Sequence, residues 1–99
     1  MAETSVRLHP LAADEAEAAY AWYLERNATV SAAFLQELDS AMQIIAEAPQ
    51  RWPILYGRYR RYLLHRFPFS VVYFRRGDFV EVIAVAHHRR RPGYWRNRK

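Results

Sequence analysis

From Phe34 onward the apolar residues Phe34, Leu38, Ala41, Met42 and Ile45 recur at intervals of three and four, whereas beyond Tyr59 they fall in short runs of Tyr, Phe and Val. The first spacing lays a wide, bulky stripe along one side of a helix, and the second belongs to strands. An earlier stripe, Ala12, Ala16, Ala19, Tyr20 and Tyr23, has helical spacing but small side chains, which suits close approach of a neighbouring element. Bulky then meets small across a helical hairpin. Pro10 fits the first turn of the first helix, and Asp14, Glu15 and Glu17 follow toward the positive end of its dipole. Asn27 is expected to close that helix as a left-handed cap, and Ser31 to cap the next. The short connection between them, residues 28–30, forces the two helices antiparallel.

The strand periods lie on either side of this hairpin. Residues 5–9 alternate, with Val6 and Leu8 on one side and Arg7 and His9 on the other, which predicts a short strand with one buried face. Pro49 stops the second helix, and Arg51, Trp52 and Pro53 open a loop that runs to Gly57. Segments 59–66, 70–75 and 79–86 read as a three-stranded meander, broken at Pro68 and at the turn pair Gly77 and Asp78. The order is β-α-α-β-β-β, an α+β fold of one domain over residues 1–99, in which a helical hairpin covers one face of an antiparallel sheet and a basic C-terminal tail follows. Phe69, Val71, Val72, Tyr73, Val82, Ile83 and Val85 are assigned to the core.

Charge changes the picture from a plain globule to one with a contact surface. Residues 1–50 carry eight acids against Arg7 and Arg26, while residues 51–99 carry thirteen bases against Asp78 and Glu81. Of those thirteen only one is lysine, and arginine is the residue that grips phosphate or carboxylate bidentately. The final segment, residues 87–99, holds five arginines, a lysine, two histidines, Tyr94 and Trp95 and no acid. Such asymmetry points to nucleic acid, a membrane surface or an acidic protein. The chain has no cysteine, which excludes disulfides and thiolate metal sites and fits a reducing compartment. Met1 to Pro10 lacks the charged start and apolar run of a signal peptide, and no run is long enough to span a membrane, so the expected location is cytoplasmic. His9 and His65 stand far from His87 and His88 in sequence, and no metal site or other cofactor is expected.

Several stretches together carry a family resemblance. They are Leu8, His9, Pro10 and Ala12 at the first strand-to-helix junction, Trp22 and Tyr23, Phe34, the loop residues Pro49, Trp52 and Pro53, then Arg66, Phe67, Pro68, Phe69 and Tyr73, and finally Ala84, Val85, Ala86, His87, His88, Arg89 and Arg90 with Pro92. In this the chain resembles the RelE/ParE superfamily of bacterial type II toxins over almost its whole length. The resemblance implies a toxin held inactive by a cognate antitoxin that wraps it with a helix and an extended segment. Antitoxins of this kind are acidic, and a sheet edge beside a helical groove ringed by arginine suits strand addition and salt-bridged docking, with a toxin–antitoxin hetero-oligomer as the product.

Two chemistries are implied by the two branches of the superfamily. RelE-like members cleave mRNA on the ribosome without metal, which requires proton transfer and cations around the phosphate. In that reading His87 and His88 are base and acid, Arg60, Arg61 and Arg90 hold the phosphate, and Tyr94 stacks on a base. The chain departs from that pattern at Ser70, where an arginine is expected, at Leu63 in place of a lysine, and at His88 in place of another arginine. The Arg-Phe-Pro-Phe entry to the middle strand and the His-His-x-Arg ending look more like the ParE branch, whose members poison DNA gyrase by binding. The favoured reading is therefore a ParE-like toxin that contacts its target through Arg60, Arg61, Arg89, Arg90, Arg91, Tyr94, Trp95 and Arg96. A ribosome-dependent mRNA nuclease is the alternative, and a non-toxic remnant that binds only its antitoxin is a third.

Overall fold

The computed structural model describes residues 4–99, so the first three residues of the stretch read for a signal peptide lie outside it. The elements in chain order are β1 (Ser5–Leu8), α1 (Pro10–Arg26), α2 (Ala28–Glu47), a short 3-10 turn (Pro49–Arg51), β2 (Ile54–Tyr56), β3 (Tyr59–Leu63), β4 (Phe69–Arg76) and β5 (Phe79–His87). They build a five-stranded sheet in the order β1-β5-β4-β3-β2. β2 to β5 are antiparallel neighbours, but β1 runs parallel to β5, Val6 opposite Val80. The sheet is mixed where an antiparallel one is expected, because the helical hairpin returns the chain to the same end of the sheet and so aligns β1 with the last strand. β2 is a second addition, a short edge strand formed inside the predicted loop.

The helical hairpin covers one face of the sheet. Phe34, Leu38, Ala41 and Ile45 of α2 and Ala12 and Ala19 of α1 pack against Phe69, Val71, Tyr73, Val80, Val82 and Val85. The connection between the helices is a single residue. Asn27 sits in extended backbone, φ −165°, and its side-chain oxygen accepts from Thr29 and Val30 N–H at 2.9 and 3.1 Å. It therefore starts α2 as well as ending α1, and Ser31 is left inside the helix, buried, with its hydroxyl on Ala28 O. The left-handed geometry expected of Asn27 is not needed, since capping the next helix from extended backbone satisfies two orphan donors at once.

At the start of α1 the prediction of inward and outward residues is reversed. Leu8 is exposed, while His9 is buried and turns its ring inward. Its Nδ1 accepts from Leu11 N–H at 3.0 Å, which places the ring proton on Nε2, 2.7 Å from Lys99 O. A histidine thus caps α1 and ties it to the far end of the chain. The turn at Gly77 is as expected, and a second tight turn forms at Gly57, where the sequence reading ends a loop. Gly77 opens the two-residue hairpin between Arg76 and Phe79 with φ +62°, and Gly57 does the same between Tyr56 and Tyr59 with φ +53°. A glycine at the first central position is what a two-residue hairpin of this hand requires.

The register of β4 on β5 slips by one residue, from Val72 opposite Ala84 to Tyr73 opposite Val82. Ile83 is the extra residue, a β-bulge that flips the parity of the strand. Val80 and Val82 before it and Val85 after it all face the helices, while Ile83 and Ala84 both face the opposite side. That opposite side carries a second small core, in which Val72, Phe74, Ile83 and Ala84 are covered by Trp95, only 3 % exposed, with Tyr59 against its ring at 4.8 Å between centroids. The basic tail is therefore structural. It folds through successive turns across the outer face, where a free contact segment is expected from its composition.

Candidate partner interface

The tail brings most of the candidate residues to one end of the molecule. A concavity of about 730 Å3 on the outer face is lined by Arg61, Ser70, His87, His88, Arg90, Arg91, Tyr94, Trp95 and Arg96, over an apolar floor that includes Leu55, Leu63 and Val72. No acid lines it. Arg60 is not part of it: on β3 its side chain takes the other face with Tyr62, opposite Tyr73, and its Nη1 donates to Trp52 O at 2.7 Å. Neighbouring strand residues point to opposite faces, and this separates Arg60 from Arg61. Tyr73 beside it is pushed up to about 12 by burial, against the opposing charge of Arg60, and its hydroxyl donates to Pro49 O at 2.5 Å.

The histidines diverge. The His87 ring lies edge-on to Phe69 at 4.9 Å between centroids, and its Nδ1 accepts from Arg89 N–H at 3.0 Å. Burial, with the charges of Arg89 and His88, depresses its pKa, so it is neutral at pH 7 with the proton on Nε2. His88 turns the other way, and its Nε2 lies 3.0 Å from the hydroxyl of buried Ser70. The two imidazoles are each held by a different partner. Trp95 is core, and its ring is not available as a stacking platform. Tyr94 is also committed, since its hydroxyl donates to Glu15 Oε2 at 2.6 Å and Arg90 lies over its ring at 3.8 Å. Burial and that bond to Glu15 raise the phenol well above its ordinary value. Arg89, Arg90, Arg91 and Arg96 are exposed, with Arg96 over Tyr56 at 4.7 Å.

Two residues organise this end and are not among the site residues of the sequence reading, in which Glu15 only complements the dipole of the first helix. Glu15 accepts from Val85 N–H at 3.0 Å, from Tyr94 and from both Arg98 Nη atoms at 3.0 and 2.7 Å, with Arg90 at 3.9 Å. The side chains of Arg98 and Glu15 are only 12 % and 15 % exposed. Burial alone would raise the Glu15 pKa, but the hydrogen bonds from Arg98, Tyr94 and Val85 outweigh it and hold the carboxyl below its usual range. Glu15 was visible as a signal: it lies three residues after Ala12 and four before Ala19, an acid placed on an apolar stripe. Arg98 gave none, being one of several arginines in a tail.

Alongside this pair runs a groove of about 790 Å3 between α1 and the end of β5, floored by Ala18, Ala19, Phe69 and Val85 and walled by Trp22, which is 52 % exposed. Its rim is His87, His88, Arg89 and Arg90. Both hollows therefore share one cationic ridge. Among the described residues no helix is long and apolar enough to cross a membrane.

The comparisons with known proteins agree with this architecture. No curated protein matches the sequence. A solved structure described as "Chromosomal ParDE TA system from P. aeruginosa" is similar in fold, with a TM-score of 0.75 at 17 % identity, covering 86 % of this chain and 96 % of that one. The family model described as "ParE toxin of type II toxin-antitoxin system, parDE" matches residues 6–92, from β1 through the cationic ridge. With that match spanning most of its length, the chain belongs to the ParE toxin family of type II toxin–antitoxin systems.

Proposed function

We propose that this protein arrests growth by binding DNA gyrase through the cationic ridge and the outer-face concavity, and that an acidic antitoxin neutralises it. The observation that carries this reading is the state of the side chains a nuclease would use. His87 and His88 are anchored in separate hydrogen bonds, to Arg89 N–H and to Ser70, and Tyr94 is bound through its hydroxyl to Glu15. Ser70 itself adds a hydroxyl where a phosphate clamp would need a cation. What the surface does offer is exposed arginine over an apolar floor, the pattern of a protein-binding hot spot. Arg89, Arg90 and Arg91 contact gyrase in this reading, with Arg61 and Arg96 at the edge of the concavity. An antitoxin that covers the same ridge would block the target directly.

A second reading, ribosome-dependent mRNA cleavage, has one observation in its favour: Arg61, His87, His88, Arg90 and Tyr94 line a single concavity. The two separate cleanly in purified systems. Adding the protein to gyrase and relaxed plasmid should suppress negative supercoiling, while mRNA on programmed ribosomes stays intact. Undisturbed supercoiling together with codon-positioned cuts would instead establish the nuclease.

A further inference from the structure

The side of the helical hairpin turned away from the sheet carries charge of one sign. On α1, Asp14, Glu17, Ala21 and Glu25 succeed one another at spacings of three and four, and all are exposed. On α2 the exposed series is Ala32, Gln36, Asp39, Gln43 and Glu47. The one base of the two helices, Arg26, is folded back over the Trp22 ring at 3.6 Å. None of the carboxylates in the two series has a base within 4.0 Å among the described residues. A solvated helix face ordinarily intersperses both signs. Glu47 even ends α2, in a last turn without a base, where the dipole opposes an acid. Helix stability accounts for the acids near Pro10, but not for Glu25, Asp39 and Glu47.

Between the two series lies a hollow of about 360 Å3, lined by Tyr20, Leu35, Gln36, Asp39 and Gln43, with Asp39 its only charged residue. A guanidinium suits this lining. The carboxylate and the two side-chain amides accept hydrogen bonds, and Tyr20 and Leu35 offer apolar surface to an aliphatic stem. A nucleic acid, an anionic membrane and an acidic protein are all repelled by the face. Its complement is exposed arginine, and this chain carries that at its own ridge. Arg89 and Arg91 there, and Arg96 in the concavity, are exposed and have no carboxylate within 4.0 Å among the described residues. We propose that the outer face of the hairpin is a docking site for a second copy of this chain, which seats an arginine of its ridge beside Asp39. The helices lie on one side of the sheet and the concavity on the other, so a copy docked by its ridge leaves its own acidic face free for the next. Such a contact is heterologous and does not close, and its product is an open chain of copies. The net charge of +5 opposes it, so it holds only where the two faces meet within a screening length, and salt dissolves it. Concentrated free protein thereby masks its own ridge. Neither the gyrase reading nor the antitoxin reading is needed for this.

The test is sedimentation velocity of the purified protein, freed of nucleic acid, over a concentration series at about 50 and about 300 mM salt, on either side of a roughly 8–10 Å screening length. At the lower salt the mean sedimentation coefficient should climb with concentration past that of a dimer. At the higher salt it should stay at that of the monomer. Two double variants at exposed positions locate the contact. Glu17→Lys with Asp39→Lys, and Arg89→Glu with Arg91→Glu, should each weaken self-association about tenfold or more and leave the melting temperature unchanged. The second pair removes four units of charge, from +5 to +1, so general repulsion falls and loss of association reports the ridge contact itself. An equimolar mixture of the two variants should associate again, because the altered face of each then meets its complement in the other. A monomer at every concentration in the lower salt would overturn the proposal. So would growth that stops at a dimer, association that the higher salt or either pair of substitutions leaves unmoved, or a mixture of the variants that stays monomeric.

Discussion

Glu15 concentrates more of the structure than any other side chain, joining α1, the edge of β5 and the tail through its two oxygens. Removing it strands Arg98, which is 12 % exposed in its side chain, so Glu15→Ala should cost roughly 3 kcal/mol, near the lower end for breaking a buried pair. Chemical denaturation at pH 7 measures this. The same residue sets an acid limb in stability. Its folded carboxyl titrates below the ordinary value of 4.5, so the unfolded chain takes up the proton first as pH falls. Its contribution is complete above about 4.5 and is lost as pH drops through the lower folded value. Denaturation midpoints between pH 7 and 3 should fall less steeply in Glu15→Gln than in the parent, and parallel curves would show that Glu15 is not the group responsible. The acid could be seen in the sequence as an intruder on an apolar stripe, but its partner could not, because a contact between residues 15 and 98 has no local signature.

The elements show the same division between what is local and what is not. The stripe of α2, the turn at Gly77 and the three strands of the meander follow from spacing alone, since each is decided by neighbours three or four positions apart at most. The bulge at Ile83 is invisible in the run Val82 to Val85, where every residue is apolar and no alternation marks a slip. The parallel partnership of β1 with β5 depends on the path of the whole hairpin. Asn27 teaches a narrower lesson, since a residue able to end one helix can begin the next, and Asn27→Ala should cost about 1 kcal/mol by thermal melting. The tail is the largest revision. Composition marks residues 87–99 as a contact segment, yet Trp95 fills the outer core, and Trp95→Ala should cost about 3–5 kcal/mol. Deleting the tail should therefore abolish activity by loss of folding, read as a collapse of the melting transition. Replacing exposed Arg89, Arg90 and Arg91 together by alanine is the informative change, because it should leave the melting curve nearly unmoved while weakening partner binding.

At the scale of the molecule, the excess of acid in the first half and of base in the second is spread over two helices on one side of the sheet and a sheet-and-tail surface on the other. Binding through such a surface should weaken steeply with added salt, and a titration from 50 to 300 mM, concentrations on either side of a roughly 8–10 Å screening length, measures this. A flat response would mean that burial of the apolar floor dominates. The central claim is that the protein acts on gyrase by contact, and not on mRNA by proton transfer at its histidines. It is tested most directly by inducing the double variant His87→Ala, His88→Ala in cells and resolving the topoisomers of a reporter plasmid. The account predicts growth arrest and progressive loss of negative supercoiling, close to those caused by the parent protein. Normal growth and unchanged topoisomers in the folded variant, while the parent cuts mRNA on ribosomes, would contradict it.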